Sequence, residues 1–196
     1  MKKTLLFLFL FVGQLLFSQV QSYYSDVNLT LTGLALKTAL STKVKNTHTT
    51  LIPYDWEAQK LADINPSNSA QILLIYGWEN GTDGSFTNDR ERDINNTTGG
   101  NNAPGTWNRE HVFAKSLANP SLETNTPGPG TDLHNLRPAD VQWNAARGNL
   151  KFANGSGNSG ATGGGWYPGD EWKGDVARII MYMYIRYDGN GSSLTE

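Results

Sequence analysis

Three stretches rich in glycine, asparagine and proline, residues 79–106, 118–131 and 154–165, cut this chain into short pieces. Asn80-Gly81, Asp83-Gly84, Gly99-Gly100 and Pro127-Gly128-Pro129-Gly130 are turn signals that end helices and strands, so ordered structure must be assembled between them. With 21 glycines and 38% hydrophobic residues, the composition fits a globular domain carrying long surface loops. A chain of 196 residues favours one domain, large enough to bury a core. No internal repeat is visible.

Between the loops, the patterning predicts few elements. Residues 22–50 read as a helical opening, with Asp26 as its cap and Leu29, Leu34, Leu36, Leu40 and Val44 near a 3.6-residue period. Asp55 is placed to cap a short second helix ending near Ala62. The apolar run 70–76 reads as a buried strand, and bulky residues 107–113 as another. Pro138, with no N–H to leave unpaired, suits the first turn of a helix running through Arg147 to a terminator at Gly148. Residues 170–187 form a strongly apolar helix that packs through Val176, Ile179, Ile180, Met183 and Tyr184. The class is therefore α+β, mainly helical around a small sheet. Residues 79–106 lack the D-x-[DN]-x-[DN]-G spacing and distal Glu of a calcium loop and read as plain loop.

Met1-Lys2-Lys3 followed by an apolar run to Phe17 reads as a secretory signal, cleaved after Ser18, with a domain over 19–196. The run is shorter than the ~20 apolar residues of a membrane span. Without Lys2 and Lys3, 14 basic residues face 18 acidic ones, a net charge of −4. No global basic field attracts a polyanion, so such affinity must come from a local patch or a bound cation. The chain has no cysteine, which excludes disulfides, thiol catalysis and thiolate zinc sites.

Chemistry concentrates in two stretches. Trp107-Asn108-Arg109-Glu110-His111-Val112 and the segment from Asp132 to Asn149 hold two of the three histidines. They read as one hydrolytic site for phosphodiesters, a reaction that needs an activated water, a cation and groups that hold phosphate. His111 is the natural general base. Glu110 and Asn144 are hard oxygen ligands suited to Mg²⁺. On a 138–147 helix, Asp140, Asn144 and Arg147 share a face, with Asn144 toward the metal and Arg147 toward the phosphate. Arg109, Arg137 and Arg147 either bind phosphate or pair with Asp132, Asp140 or Glu123. Asp132 and His134 either ligate metal or hold their loop by hydrogen bonds, and a backbone carbonyl of this loop would orient His111. Trp107 and Trp143 read as core, His48 as a surface or packing residue, and Lys173, Asp175 and Arg178 as a structural ion-pair set. Strand neighbours point to opposite faces, so Glu110 and His111 serve one site only if the strand twists or bulges, or if the site wraps its end.

These motifs resemble the bacterial endonuclease I family, secreted or periplasmic nucleases of the ββα-metal (His-Me finger) superfamily. Asp132-Leu133-His134-Asn135-Leu136-Arg137-Pro138, Asn144-Ala145-Ala146-Arg147-Gly148-Asn149 and Trp172-Lys173-Gly174-Asp175 are similar to the family's later motifs, and the likeness covers most of residues 24–187. The resemblance implies two strands and a helix clasping one divalent cation, Mg²⁺ ahead of Mn²⁺ or Ca²⁺. It implies His111 as base, helped by Arg137 and Arg147, with Glu110 and Asn144 on the metal. Arg109, Asp132, His134 and Asp140 would support these groups or bind phosphate. The implied substrate is DNA, and RNA with it, cut with little sequence preference to leave 5′-phosphates, by a monomer free of the membrane. Some relatives carry disulfides, absent here. The family usually continues past the late helix, so at Glu196 either the sequence is a fragment or its end differs.

Three rivals are weighed against this reading. A zinc hydrolase would want H-E-x-x-H, which does not occur. A non-catalytic extracellular binding module gives no reason for Glu-His beside an Asn-bearing helix. An RNA-preferring enzyme of the same fold stays open.

Overall fold

A computed structural model describes residues 22–98, 100 and 103–187, and the expected signal peptide lies outside them. The chain opens not on one long helix but on a 3₁₀ turn, Ser22–Tyr24, followed by helix α1, Gly33–Thr47. Asp26 caps nothing there; it pairs with Lys43 at 2.8 Å. Of the periodic residues only Val44 is buried, while Leu29 and Leu34 are exposed, so α1 lies on the surface against the last helix. Helix α2, Trp56–Ala62, starts where expected, with the Asp55 carboxylate accepting the Ala58 N–H.

Three separate two-stranded antiparallel sheets replace the single small sheet read from the sequence. Strand β1, Gln71–Leu73, is shorter than the apolar run that announced it. It pairs with β2, Glu91–Asp93, inside the stretch read as plain loop. Leu74, Ile75 and Tyr76 stay buried beyond the strand, and Tyr76 takes φ 73, uncommon for a residue with a side chain.

Strands β3, Trp107–His111, and β4, Leu136–Asp140, pair in unbroken register from Trp107↔Asp140 to His111↔Leu136. Pro138 is therefore a strand residue and not a helix start. A two-stranded sheet has only edges, where a missing N–H is tolerated. Helix α3, Val141–Arg147, begins three residues after Pro138, capped by the Asp140 carboxylate, which accepts the N–H groups of Gln142 and Trp143. It ends at Gly148 as expected, with φ 56.

The third sheet pairs β5, Gly160–Thr162, with β6, Gly165–Tyr167. Helix α4, Lys173–Arg186, closes the core on Ile75, Tyr76, Val112, Ala139, Trp166 and Trp172 through Val176, with Ile179 and Ile180 packed beside it. Trp107 is fully buried, in contact range of Trp56 at 5.3 Å between rings, and Trp143 packs at 5.2 Å from Trp166. Both serve the core. Arg178 pairs with Asp175, whereas Lys173 pairs with Asp170. No helix among the described residues is long and apolar enough to cross a membrane.

Candidate active site

A pocket of about 420 Å³ opens where β3 ends and α3 passes beside it. Arg109, Glu110, His111, Lys115, Asn144 and Arg147 line it, so the two stretches separated in sequence do meet. The β3–β4 register carries no bulge at Glu110 or His111. Instead His111 is the last residue of β3, and the pocket wraps that end. A larger, mostly apolar groove of about 920 Å³ adjoins it through Ala114 and Arg147, but Glu110, His111 and Asn144 all line the smaller pocket.

Glu110 is 2% exposed. Its Oε1 accepts the Tyr76 hydroxyl at 2.9 Å and lies 3.0 Å from Arg147 Nη1. Burial raises the Glu110 carboxyl to about 7, and Arg147 and the Tyr76 hydroxyl pull only partly the other way. Tyr76 is itself anchored, because its carbonyl accepts the Ser159 hydroxyl at 2.6 Å and that hydroxyl accepts the Trp143 indole N–H from α3. The strained backbone of Tyr76 thus aims a phenol at the carboxylate.

His111 has a fixed tautomer. Its Nε2 lies 2.8 Å from the Gly130 carbonyl, which can only accept, so Nε2 carries the proton and Nδ1 holds the lone pair. Burial pulls His111 down to about 4, against the opposing effect of that carbonyl, so the ring is neutral at pH 7. Gly130 has to be glycine: a Cβ there would sit 2.1 Å from the Glu123 carbonyl oxygen. Asn135 secures the chain just past His111, accepting the Phe113 N–H at 2.7 Å and donating to its carbonyl at 3.2 Å.

Asn144 Nδ2 donates to Asn108 Oδ1 at 2.7 Å, which sets the amide so that Oδ1 is the unspent acceptor. A carboxylate and an amide oxygen lining one pocket fit a hard divalent cation that keeps most of its waters. Among the described residues no three His, Cys, Asp or Glu side chains converge, so an all-protein cage is not built there.

Several expected roles shift. Arg147, expected to face a phosphate, is 2% exposed; its Nη groups meet Glu110, the His111 carbonyl at 3.0 Å, the Val112 carbonyl at 2.8 Å and the Gly148 carbonyl at 3.3 Å, and its Nε is buried without a hydrogen-bond partner. Because α3 starts only at Val141, Asp140 does not share its inner face with Asn144; it caps the helix and pairs with Arg92 at 2.6 Å. Arg137 lies outside the pocket lining, paired with buried Asp63 at 2.7 Å. Asp132 and His134 also lie outside it. The Asp132 carboxylate accepts the His134 N–H and ring, and the hydroxyls of Tyr182 and Tyr187. That bonding is the loop-holding alternative. His48 packs beside it, its ring bonded to the Tyr182 hydroxyl at 3.0 Å.

Arg109 stays at the pocket. Its guanidinium carbon is 3.5 Å from the Tyr54 ring centre and 3.8 Å from that of Trp56, while Nε and Nη1 are buried without a hydrogen-bond partner. Tyr54, Trp56, Tyr76, Asn108 and Lys115 were not among the site residues read from sequence. Tyr54 precedes and Trp56 opens α2, Tyr76 ends a run read as a buried strand, and Asn108 and Lys115 flank the Glu110-His111 pair; only the fold brings these segments together.

A neutral imidazole with a free nitrogen, beside two oxygen donors and a clamped arginine, is a set of groups suited to activating water against an anionic ester. The chain belongs to the endonuclease I family, whose model matches residues 32–195. It is 40% identical over 179 residues to an extracellular ribonuclease of Bacillus amyloliquefaciens, covering 88% of this chain and 55% of that one. It is 39% identical over 181 residues to an extracellular ribonuclease of Bacillus subtilis (strain 168), covering 89% and 56%. The chain thus spans about half the length of these relatives. No solved structure matches it.

Proposed function

We propose that the protein is a secreted, divalent-cation-dependent endonuclease with a β3–β4–α3 site of the His-Me finger kind. It hydrolyses phosphodiesters with little sequence preference and leaves 5′-phosphates. One observation carries this reading: the Gly130 carbonyl holds the proton on His111 Nε2, leaving Nδ1 as a base in the pocket that Glu110 and Asn144 share. His111 would take a proton from water at Nδ1 as that water attacks phosphorus. Glu110 and Asn144 would hold the cation, which when bound supplies charge to offset the phosphorane-like transition state and the leaving 3′ oxygen. Arg109, already stiffened between two aromatic rings, would hold the phosphate, and Arg147 would hold Glu110 ionised and aimed. Contacts of this kind address backbone and not base edges, which is why little sequence preference follows.

RNA is a substrate beside DNA in this reading, and the names of both Bacillus relatives favour the stronger form in which RNA is preferred. The nature of the product ends tests the chemistry. Digests made with Mg²⁺ should yield fragments with 5′-phosphate and 3′-hydroxyl termini, competent for direct ligation. Fragments ending in 3′-phosphate or a 2′,3′-cyclic phosphate would overturn hydrolysis by a water activated at His111. Parallel RNA and DNA digestions give the preference.

A further inference from the structure

We propose that Lys115, on the wall of the pocket across from α3, forms a second phosphate subsite that grips a neighbouring, non-scissile phosphate of the polynucleotide. The inference rests on the nuclease reading and adds a contact to it. It begins from where the cations of this region are committed. Arg147 is turned to Glu110 and the carbonyls of His111, Val112 and Gly148, and Arg137 is paired with Asp63 outside the pocket. Arg109 is held by Tyr54 and Trp56. Lys115 lines the same pocket and, among the described residues, its ammonium has no carboxylate or hydrogen-bond partner.

Its backbone, by contrast, is pinned. The Lys115 carbonyl accepts the Ala118 N–H at 3.3 Å, the Leu122 N–H at 3.1 Å and the Ser121 hydroxyl at 3.1 Å. The next residue, Ser116, accepts from Asn149 Nδ2 at 3.2 Å, which ties this short 3₁₀ turn, Lys115–Leu117, to the residue just past α3. An anchored backbone leaves only the Lys115 side chain to be ordered on binding an anion. In a chain with an excess of acidic residues, a cation left unpaired beside the candidate site stands out. The hydroxyls of Ser116 and Ser121 line the same wall. A point charge with rotatable donors suits a backbone phosphate that needs no fixed orientation.

The test is fluorescence anisotropy of a labelled single-stranded oligonucleotide, as DNA and as RNA, titrated in EDTA over a series of NaCl concentrations. Wild type, Lys115→Gln and Lys115→Arg are compared. Because the subsite needs no cation, wild type should bind in EDTA. Lys115→Gln should bind more weakly on every sequence, with the slope of log K against log salt reduced by about 0.7, and Lys115→Arg should restore it. Equal slopes for wild type and Lys115→Gln, or no binding by wild type in EDTA, would overturn the subsite. Wild-type digestion with Mg²⁺, scored separately, judges the nuclease reading itself.

Discussion

Glu110 and Arg147 are buried against each other at 3.0 Å, each about 2% exposed, beneath the pocket that opens at the end of β3. A buried carboxylate so placed is costly unless its partner stays. Arg147 therefore supports the site from below and is not free to meet substrate. Replacing it with Met removes the positive partner, which pushes the Glu110 carboxyl further up from about 7, and takes away the donors to the His111 and Val112 carbonyls. Urea unfolding at pH 7 should show Arg147→Met destabilised by about 3–5 kcal/mol, the usual cost of breaking a buried pair from one side. The double variant Arg147→Met, Glu110→Gln should recover part of that loss. A single variant as stable as wild type would show that the pair is not buried in solution.

Tyr76 gives a subtler test. Its hydroxyl donates to Glu110 Oε1 at 2.9 Å, so Tyr76→Phe removes one donor without changing shape. Groups that orient a metal ligand typically matter by 10–100-fold in affinity. Isothermal titration with Mn²⁺ should show Tyr76→Phe weakened by about that factor, and Glu110→Ala weakened further. Undiminished binding in Glu110→Ala would remove Glu110 from the ligand set.

The Asp132 cluster predicts an acid limb of stability. Burial alone would raise this carboxyl, but the donors from His134, Tyr187 and Tyr182 outweigh it and hold it at about 2. A folded-state value below the unfolded one contributes stability that is fully present above about 4 and is lost as pH falls through about 2. The depression is worth about 2 kcal/mol. His134 shifts the other way, raised by its bond to Asp132, so its contribution is present below 6.5 and fades as pH rises through its folded value. Urea midpoints between pH 5 and 2 should fall for wild type and fall less steeply for Asp132→Asn. Parallel curves would remove the cluster as the cause.

The residues of the candidate site were legible in the chain because they fall in two short motifs, which the fold brings to one pocket. Glu110 and His111 stand together, Asn144 follows on a helix that does end at Gly148, and Asp55 does cap α2. What sequence patterning misread has physical causes. Pro138 carries the same missing N–H into an edge strand as into a helix start, so the residue alone does not distinguish them. Asp140, immediately before α3, is a stronger start signal than the proline. Strand β2, Glu-Arg-Asp, has no apolar alternation to announce it, and its Arg92 is buried only because Asp89 and Asp140 neutralise it. The Leu-rich periodicity of α1 overstated its burial, since only one face meets α4. A carbonyl near Asp132 is expected from the sequence to orient His111, and Gly130, two residues before Asp132, supplies one; Tyr76 reaches Glu110 from a distant segment through one hydroxyl, and no local pattern records that contact.

The aromatic clamp on Arg109 makes a kinetic prediction. Contacts of a cation with ring faces are worth about 0.5–2 kcal/mol. Tyr54→Ala should loosen Arg109 and raise KM for polynucleotide by up to about tenfold, with kcat reduced less. A fall in kcat alone, at unchanged KM, would place Tyr54 with the reacting groups and not with substrate binding.

Side-by-side digestion of plasmid DNA and RNA by wild type and His111→Ala, with Mg²⁺ and then with EDTA, tests the proposed site most directly. Wild type should degrade nucleic acid with Mg²⁺ and stop in EDTA, and His111→Ala should be slower by about 10²–10⁴, the usual worth of a general base. Intact DNA and RNA after incubation with wild type and either Mg²⁺ or Mn²⁺ would contradict the nuclease reading, and wild-type rates in His111→Ala would contradict His111 as its base.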